Sequence, residues 1–346
     1  ALVANHTGLV HEGEYLDEPS PADRIELVLL DAWPTDDDTA VEWVDLHILE
    51  TYGLEPTYTQ IRDEWVNHLN NDIWCSTLRA RQLMDQGVLP PETGGADRNP
   101  EGVWSIDAQL QTELFGLIAP GLPEQAARRA IFFARVTNSG LAVEVSAFYA
   151  TLYALAFFES DVPTLIEAVQ KRFSSHSETN EIVNRVTDWH RRYPYDWRET
   201  RLRIKQTYDT DPMWWAAKVN FASTIMALLY GDGDLMRTMT IAALAGWDAD
   251  NNATTSAGLV GLMLFAVFSL VIVNSATAIE KAKYTVVEKE DDFELRQYEA
   301  RIVAETYVEG GLKDSGDDGF RRLYAYITGD NKKKQSISMT APVGQE

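Results

Sequence analysis

Two groups of carboxylates dominate the chemistry that this sequence offers. The first is Asp36, Asp37 and Asp38, in the run Trp33-Pro34-Thr35-Asp36-Asp37-Asp38-Thr39, placed where a helical apolar pattern begins. A single aspartate there is explained by capping and by the helix dipole. Three adjacent carboxylates repel one another and require either a cation or full solvation, and their hard oxygens suit Mg²⁺, Mn²⁺ or Ca²⁺ rather than Zn²⁺. Taken alone, this run reads equally well as a solvated acidic turn. The second group lies in Gly246-Trp247-Asp248-Ala249-Asp250-Asn251-Asn252, a tight polar turn between two apolar segments with no Lys or Arg in its local sequence. Carboxylates beside a core-like helix cost several kcal/mol unless paired or metal-bound. Two acidic turns at helix starts can jointly hold two octahedral cations, with water completing each shell.

The elements that must position these turns are helical. Residues 39–52 place Val41, Val44, Ile48, Leu49 and Tyr52 on one face, directly after the aspartates. Ser105 is expected to open a helix with Ile106, Leu110, Leu114 and Leu117 at helical spacing, and Pro123 to start the next one. Further helices are predicted at about 140–158, 163–173, 180–191, 197–207, 218–230 and 234–245, with Asp161 and Asp234 as N-caps. Asn138, in Val136-Thr137-Asn138-Ser139-Gly140, reads from the residues alone as a cap for the helix beginning near Leu141.

The chain of 346 residues has a formal net charge of −23. That charge attracts cations and argues against nucleic acid as a partner, since phosphate binding needs an excess of Lys and Arg. The one cysteine, Cys75, cannot form an intrachain disulfide; beside Trp74 in an apolar stretch it reads as a buried structural thiol in a reducing, cytoplasmic setting. The six histidines show no H-E-x-x-H spacing, so zinc is not expected, and His47 and His68 read as helix-surface or half-buried residues. Neither a Walker-type phosphate loop nor a G-x-S-x-G elbow occurs. No basic leader with an apolar run stands at the N-terminus, so no signal peptide is expected there.

The texture changes after Asn274. Residues 284–287 and 293–298 alternate as strands do, residues 301–308 are β-rich, and a short helix over about 318–327 precedes the loop Lys332-Lys333-Lys334. Between the two regions lies an apolar stretch, residues 257–273, at the lower limit for spanning a bilayer. It admits three readings: a core helix, which is favoured; a membrane span, giving a membrane-associated alternative to the cytoplasmic placement; or the tail of a signal region over 265–278.

The early D-D-D-T and the later G-x-D-x-D-x-x-A pattern, in this order, resemble the ADP-ribosylglycohydrolase family. Ile106-Asp107-Ala108-Gln109, Ala119-Pro120-Gly121-Leu122-Pro123 and Leu228-Leu229-Tyr230-Gly231-Asp232-Gly233-Asp234 fit the same family in order and spacing, over about residues 25–264. The resemblance implies a mainly α, all-helical domain with a centre of two Mg²⁺ ions, Mn²⁺ being an alternative. Its ligands would be Asp36, Asp37, Asp38, Asp248, Asp250 and Asn251, where many relatives carry Thr at the Asp36 and Asn251 positions. It further implies that Asp37 or Asp38 acts as general base, and that the loop of Asn138 approaches the substrate. Relatives begin with a Gly-rich helix for which no counterpart precedes Trp33, so the domain is expected to lack its first helix.

Residues from Ile279 onward, with Phe293-Glu294-Leu295-Arg296-Gln297-Tyr298, Gly319-Phe320-Arg321-Arg322-Leu323 and Ile337-Ser338-Met339-Thr340-Ala341-Pro342-Val343, resemble the start of a SOUL haem-binding domain. Haem is not expected, because no histidine follows residue 190. The implied organisation is a helical domain over 1–264, an apolar linker over 265–278 and a partial, incomplete α+β segment over 279–346, joined as a fusion. The leading functional expectation is Mg²⁺-dependent hydrolysis of an ADP-ribosyl N- or O-glycosidic bond on a protein or small molecule. A catalytically inert ADP-ribose-binding or structural relative, and a membrane-tethered haem-binding module, are the rivals.

Overall fold

The computed structural model describes residues 37–70, 73–111, 113–209, 213–276, 280–281, 284–290, 293–298, 304–308, 312–335 and 340–341, with the backbone alone at 37–38, 267–276, 280–281, 312–318 and 340–341. The chain divides into two compact units, Ala1–Ala266 and Val267–Glu346.

In the first unit, α1 (Asp37–Tyr52) lays Val41, Val44, Ile48 and Leu49 against α2 (Tyr58–His68), whose Ile61 and Trp65 are fully buried. Thr57 and Gln60 form a reciprocal capping box that fixes where α2 begins. Next come α3 (Cys75–Asp85), α4 (Glu113–Leu117) and α5 (Pro123–Ala134), the last opened by its proline as expected. Then α6 (Leu141–Ala156) runs through the centre, buried on nearly every side. A helix apolar all round belongs in a core. One face of α6 packs on α4 and α5, with Ala150 and Ala154 in the core cluster that also takes in α1 and α2; the other, with Phe148, Tyr149 and Leu152, meets the second half of the unit.

That second half comprises α7 (Val162–Gln170), α8 (Glu178–Arg192), α9 (Trp197–Tyr208), α10 (Ala217–Gly231), α11 (Leu235–Ala245) and, up to Ala266, α12 (Ala249–Ala276). These bounds agree closely with the apolar periodicity. Asp161 and Asp234 cap α7 and α11 as anticipated, accepting from the amides of Thr164 at 2.9 Å and Arg237 at 2.8 Å. In α12, Leu259, Val260 and Met263 are buried while Leu264 and Phe265 are exposed. Among the described residues no helix is long and apolar enough to cross a membrane; residues 267–273 lie outside those whose side chains are described.

Three expectations are corrected. Residues from Ser105 do not form one continuous helix: Asp107–Gln109 is a single 3₁₀ turn, and α4 is short. The backbone at Trp104 and Ile106 instead bonds to Ala217 and Trp215, and Asp107 is drawn away to Thr77, whose amide and hydroxyl it accepts at 2.9 and 2.8 Å. Asn138 does not cap α6, which starts from Gly140 without a side-chain cap. Cys75, the first residue of α3, is half-buried rather than buried.

In the second unit, β2 (Tyr284–Glu290) and β3 (Phe293–Tyr298) form the expected antiparallel hairpin, with an irregularity between Val286 and Glu288. Glu280–Lys281 (β1) pairs in parallel with Thr340–Ala341 (β4). Helix α13 (Leu312–Ile327) is longer than anticipated, and residues 304–308, read as β-rich, adopt no regular structure.

Two packing features make specific demands. Cβ atoms added at Gly116 of α4 and Gly258 of α12 would lie 2.3 Å from the Tyr153 Cβ and 2.5 Å from its hydroxyl, so both helices approach α6 at one tyrosine. Gly258→Ala is expected to cost about 1–3 kcal/mol through overpacking, and less in a Tyr153→Phe background, as measured by urea denaturation. The other feature is Asp45, fully buried on α1 with neither carboxylate oxygen hydrogen-bonded. Burial pushes its carboxyl well above the usual range; the facing Trp65 indole offsets this only in part, and no bond of hydrogen-bonding geometry forms between them. A raised acid binds its proton more tightly folded than unfolded, so this group's contribution falls as pH rises from about 4. Asp45→Asn should therefore be more stable than the native chain at about pH 8, with the difference shrinking toward about pH 4, in denaturation curves taken at both.

Candidate active site

The turn carrying Asp248 is held by groups distant in sequence. After α11 ends at Ala245, Gly246 and Trp247 take positive φ values of 83° and 60°, which reverse the chain sharply before α12. Such backbone is unfavourable at a tryptophan and persists only where surroundings enforce it. Arg201 of α9 does so: its Nε donates to the Ala245 carbonyl at 2.6 Å and its guanidinium lies 5.0 Å from the Trp247 ring centroid. The cation that the local sequence lacks is thus supplied beside the turn by the fold.

Below it, Asn220 of α10 uses its whole amide. Its Oδ1 accepts from the Asp248 backbone N–H at 3.0 Å and from Asn252 Nδ2 at 2.8 Å, while its own Nδ2 donates to the carbonyls of Trp214 and Ala216. Thr224, one turn further along α10, donates to Asn252 Oδ1 at 3.1 Å. A fully satisfied buried network of this kind rigidifies what it holds. It presents Asp248 half-buried, Asp250 exposed and Asn251 buried, at the start of α12.

Further acidic groups converge on the next turn of α12. The Tyr153 hydroxyl donates to the Thr255 carbonyl at 2.8 Å, and the Thr255 hydroxyl donates to Glu113 Oε1 at 2.5 Å. Burial raises the Tyr153 phenol well above its ordinary value, and the charges of Glu113 and of Glu42 on α1 add to the shift. Glu42 lies one turn beyond Asp38, so charges on α1 and α4 act on a tyrosine whose hydroxyl is bonded to α12. Asp36 lies outside the described residues, and of Asp37 and Asp38 the backbone is described, as the opening of α1.

Asn138 is fully engaged inside the protein. Its Oδ1 accepts from the Ser76 hydroxyl at 3.2 Å, and its Nδ2 donates to the carbonyls of Gly102 and Ser105 at 3.0 and 2.9 Å. The side chain ties two loops together beside a pocket of about 380 Å³, which is lined also by Gly94, Arg135, Ser139 and Gly140. Both loops are tight: a Cβ on Gly94 would meet the Arg135 carbonyl oxygen at 2.6 Å.

Sequence reasoning missed Asn220, Asn252, Thr224, Glu113 and Glu42. Asn220, Thr224 and Asn252 sit within or beside apolar helical runs, where nothing in the local pattern distinguishes a positioning residue from a tolerated polar one.

No curated protein matches the chain. The SOUL heme-binding protein family matches residues 279–346. The ADP-ribosylglycohydrolase family matches residues 7–264, reaching further upstream than the motifs alone and covering about three quarters of the sequence. Members of that family hydrolyse ADP-ribosyl linkages. The chain belongs to the ADP-ribosylglycohydrolase family.

Proposed function

We propose that the first unit hydrolyses an ADP-ribosyl N- or O-glycosidic bond on a protein or small molecule in a Mg²⁺-dependent reaction. The observation that carries this reading is the Asn220-held turn, which sets Asp248, Asp250 and Asn251 at the start of α12. Its donors are carboxylate and amide oxygens, the set that a hard divalent cation takes. Asp36, Asp37, Asp38, Asp248, Asp250 and Asn251 are the residues that would hold two such ions, with Mn²⁺ as an alternative. When bound, the ions would supply charge to orient the ribose hydroxyls and to acidify water.

The chain's own groups account for the rest. Asp37 or Asp38 accepts the proton of the attacking water as the water oxygen bonds to the anomeric carbon; the glycosidic bond breaks, and the carboxyl returns that proton to the leaving nitrogen or oxygen. Arg201, Asn220 and Thr224 position the second turn so that it need not reorganise during the reaction. The loops joined by Asn138, beside the pocket at Gly94 and Gly140, are assigned to the substrate, with the Asn138 amide holding their shape.

Release of ADP-ribose from arginine-linked, serine-linked and acetyl-ester substrates tests this directly. Release should require Mg²⁺ or Mn²⁺ and stop on chelation, and Asp37→Asn and Asp248→Asn should each lower it by about 10²–10⁴-fold in folded protein. Release that is metal-independent, or unchanged in both variants, would sink the proposal. Asn220→Ala leaves the Asp248 N–H and the Asn252 amide without their acceptor. It should cost about 1–3 kcal/mol of stability for each orphaned group and weaken Mn²⁺ binding, read by calorimetric titration.

A further inference from the structure

Three side chains that the hydrolytic site does not use converge where α1 packs on α2. His47 Nε2 lies 3.3 Å, and His68 Nε2 3.0 Å, from the same oxygen, Glu64 Oε2. Glu64 and His68 are one helical turn apart on α2, and His47 reaches them from α1. The three ligand atoms all lie within 4.8 Å of one another. In a tetrahedral zinc site, bonds of about 2.0–2.1 Å place neighbouring ligand atoms about 3.3 Å apart. The His47–Glu64 separation matches that edge, and the His68–Glu64 separation is slightly shorter.

The surroundings fit the same purpose. Glu64 is only 8% exposed, and its other oxygen, Oε1, accepts from the Tyr52 hydroxyl at 2.5 Å. That bond turns Oε2 toward the imidazoles, as an outer partner does for a ligating carboxylate. The imidazoles are half-exposed, with side-chain exposures of 43% and 50%, which leaves an open side for water. Two imidazoles and one carboxylate suit a borderline transition ion, whereas Mg²⁺ takes oxygen ligands.

We propose that His47, Glu64 and His68 bind one zinc-class divalent ion that clamps α1 to α2. This site is chemically distinct from the aspartate turns. From Asp38 to His47 the axial rise along α1 is about 14 Å, so the ion would secure the far end of the helix that carries Asp37 and Asp38. A linear H-E-x-x-H spacing cannot reveal such a site, because its ligands come from two helices and only their packing joins them.

The test is equilibrium dialysis of the full chain against zinc chloride with millimolar Mg²⁺ present to occupy hard-oxygen sites. The native chain and Asp37→Asn should each retain one zinc ion, with affinity at least tenfold weaker in His47→Gln and in His68→Gln. Co²⁺ in place of zinc should give the visible absorption of a four-coordinate nitrogen–oxygen site, absent in His68→Gln. Zinc should raise the thermal unfolding midpoint of the native chain and not of His68→Gln. Both histidines are half-exposed, and circular dichroism verifies that the variants fold. The proposal is overturned if no saturable zinc binding occurs, if binding survives in both histidine variants, or if it is lost only in Asp37→Asn. It is likewise overturned if the unfolding midpoint responds to pH through these histidines but not to zinc, the behaviour of a plain histidine–glutamate ion pair.

Discussion

Much of the first unit depends on the close approach of α4 and α12 to a single side chain, Tyr153 of α6. Gly116 and Gly258 supply the space, and the tyrosine hydroxyl uses the proximity to bond the Thr255 carbonyl on α12. Because α6 is buried nearly all round, its side chains transmit position from one cluster of the core to the other. The early turns of α12, and with them the acidic turn at Asp248, are therefore located by packing against a central helix. Loop geometry alone does not set them.

The charge of the chain is compatible with this only because the acidic groups near the core are individually managed. Glu113 accepts from Thr255, Asp107 accepts twice from Thr77, and Glu64 accepts from Tyr52. Asp45 is the exception among these, a buried carboxyl that burial drives toward its protonated form. A buried acid that is neutral avoids the larger cost of an unpaired charge. The remaining carboxylates are mostly at the surface, where an excess of −23 draws cations toward the molecule.

Helix positions from α5 to α11 were legible in the sequence because apolar periodicity, proline at first turns and aspartate caps all report local structure. The two aspartate turns were legible because charge beside an apolar run is anomalous, and their order carried the family resemblance. What was not legible is long-range by nature. Residues 105–117 carry a helical pattern, yet tertiary bonds from Trp104 and Ile106 to the segment at 215–217 override it. Asn220 meets Asp248, and His47 meets Glu64, only once separate helices are packed. Asn138 looked like a cap because Asn and Gly are common there, whereas its amide is used in joining two loops.

The contact between Asp107 and Thr77 bears on how the molecule can come apart. Helix α3 starts at Cys75 without a side-chain cap of its own, and the free amide of its third residue is satisfied by a carboxylate thirty positions later. The first turn of α3 is consequently completed by tertiary structure. A fragment ending before residue 107 would carry a frayed helix start, and local opening of the 3₁₀ turn at Asp107–Gln109 would expose the start of α3 along with it. Two segments that look independent along the chain are thus coupled through one carboxylate, and protection of their amides from hydrogen exchange is expected to rise and fall together.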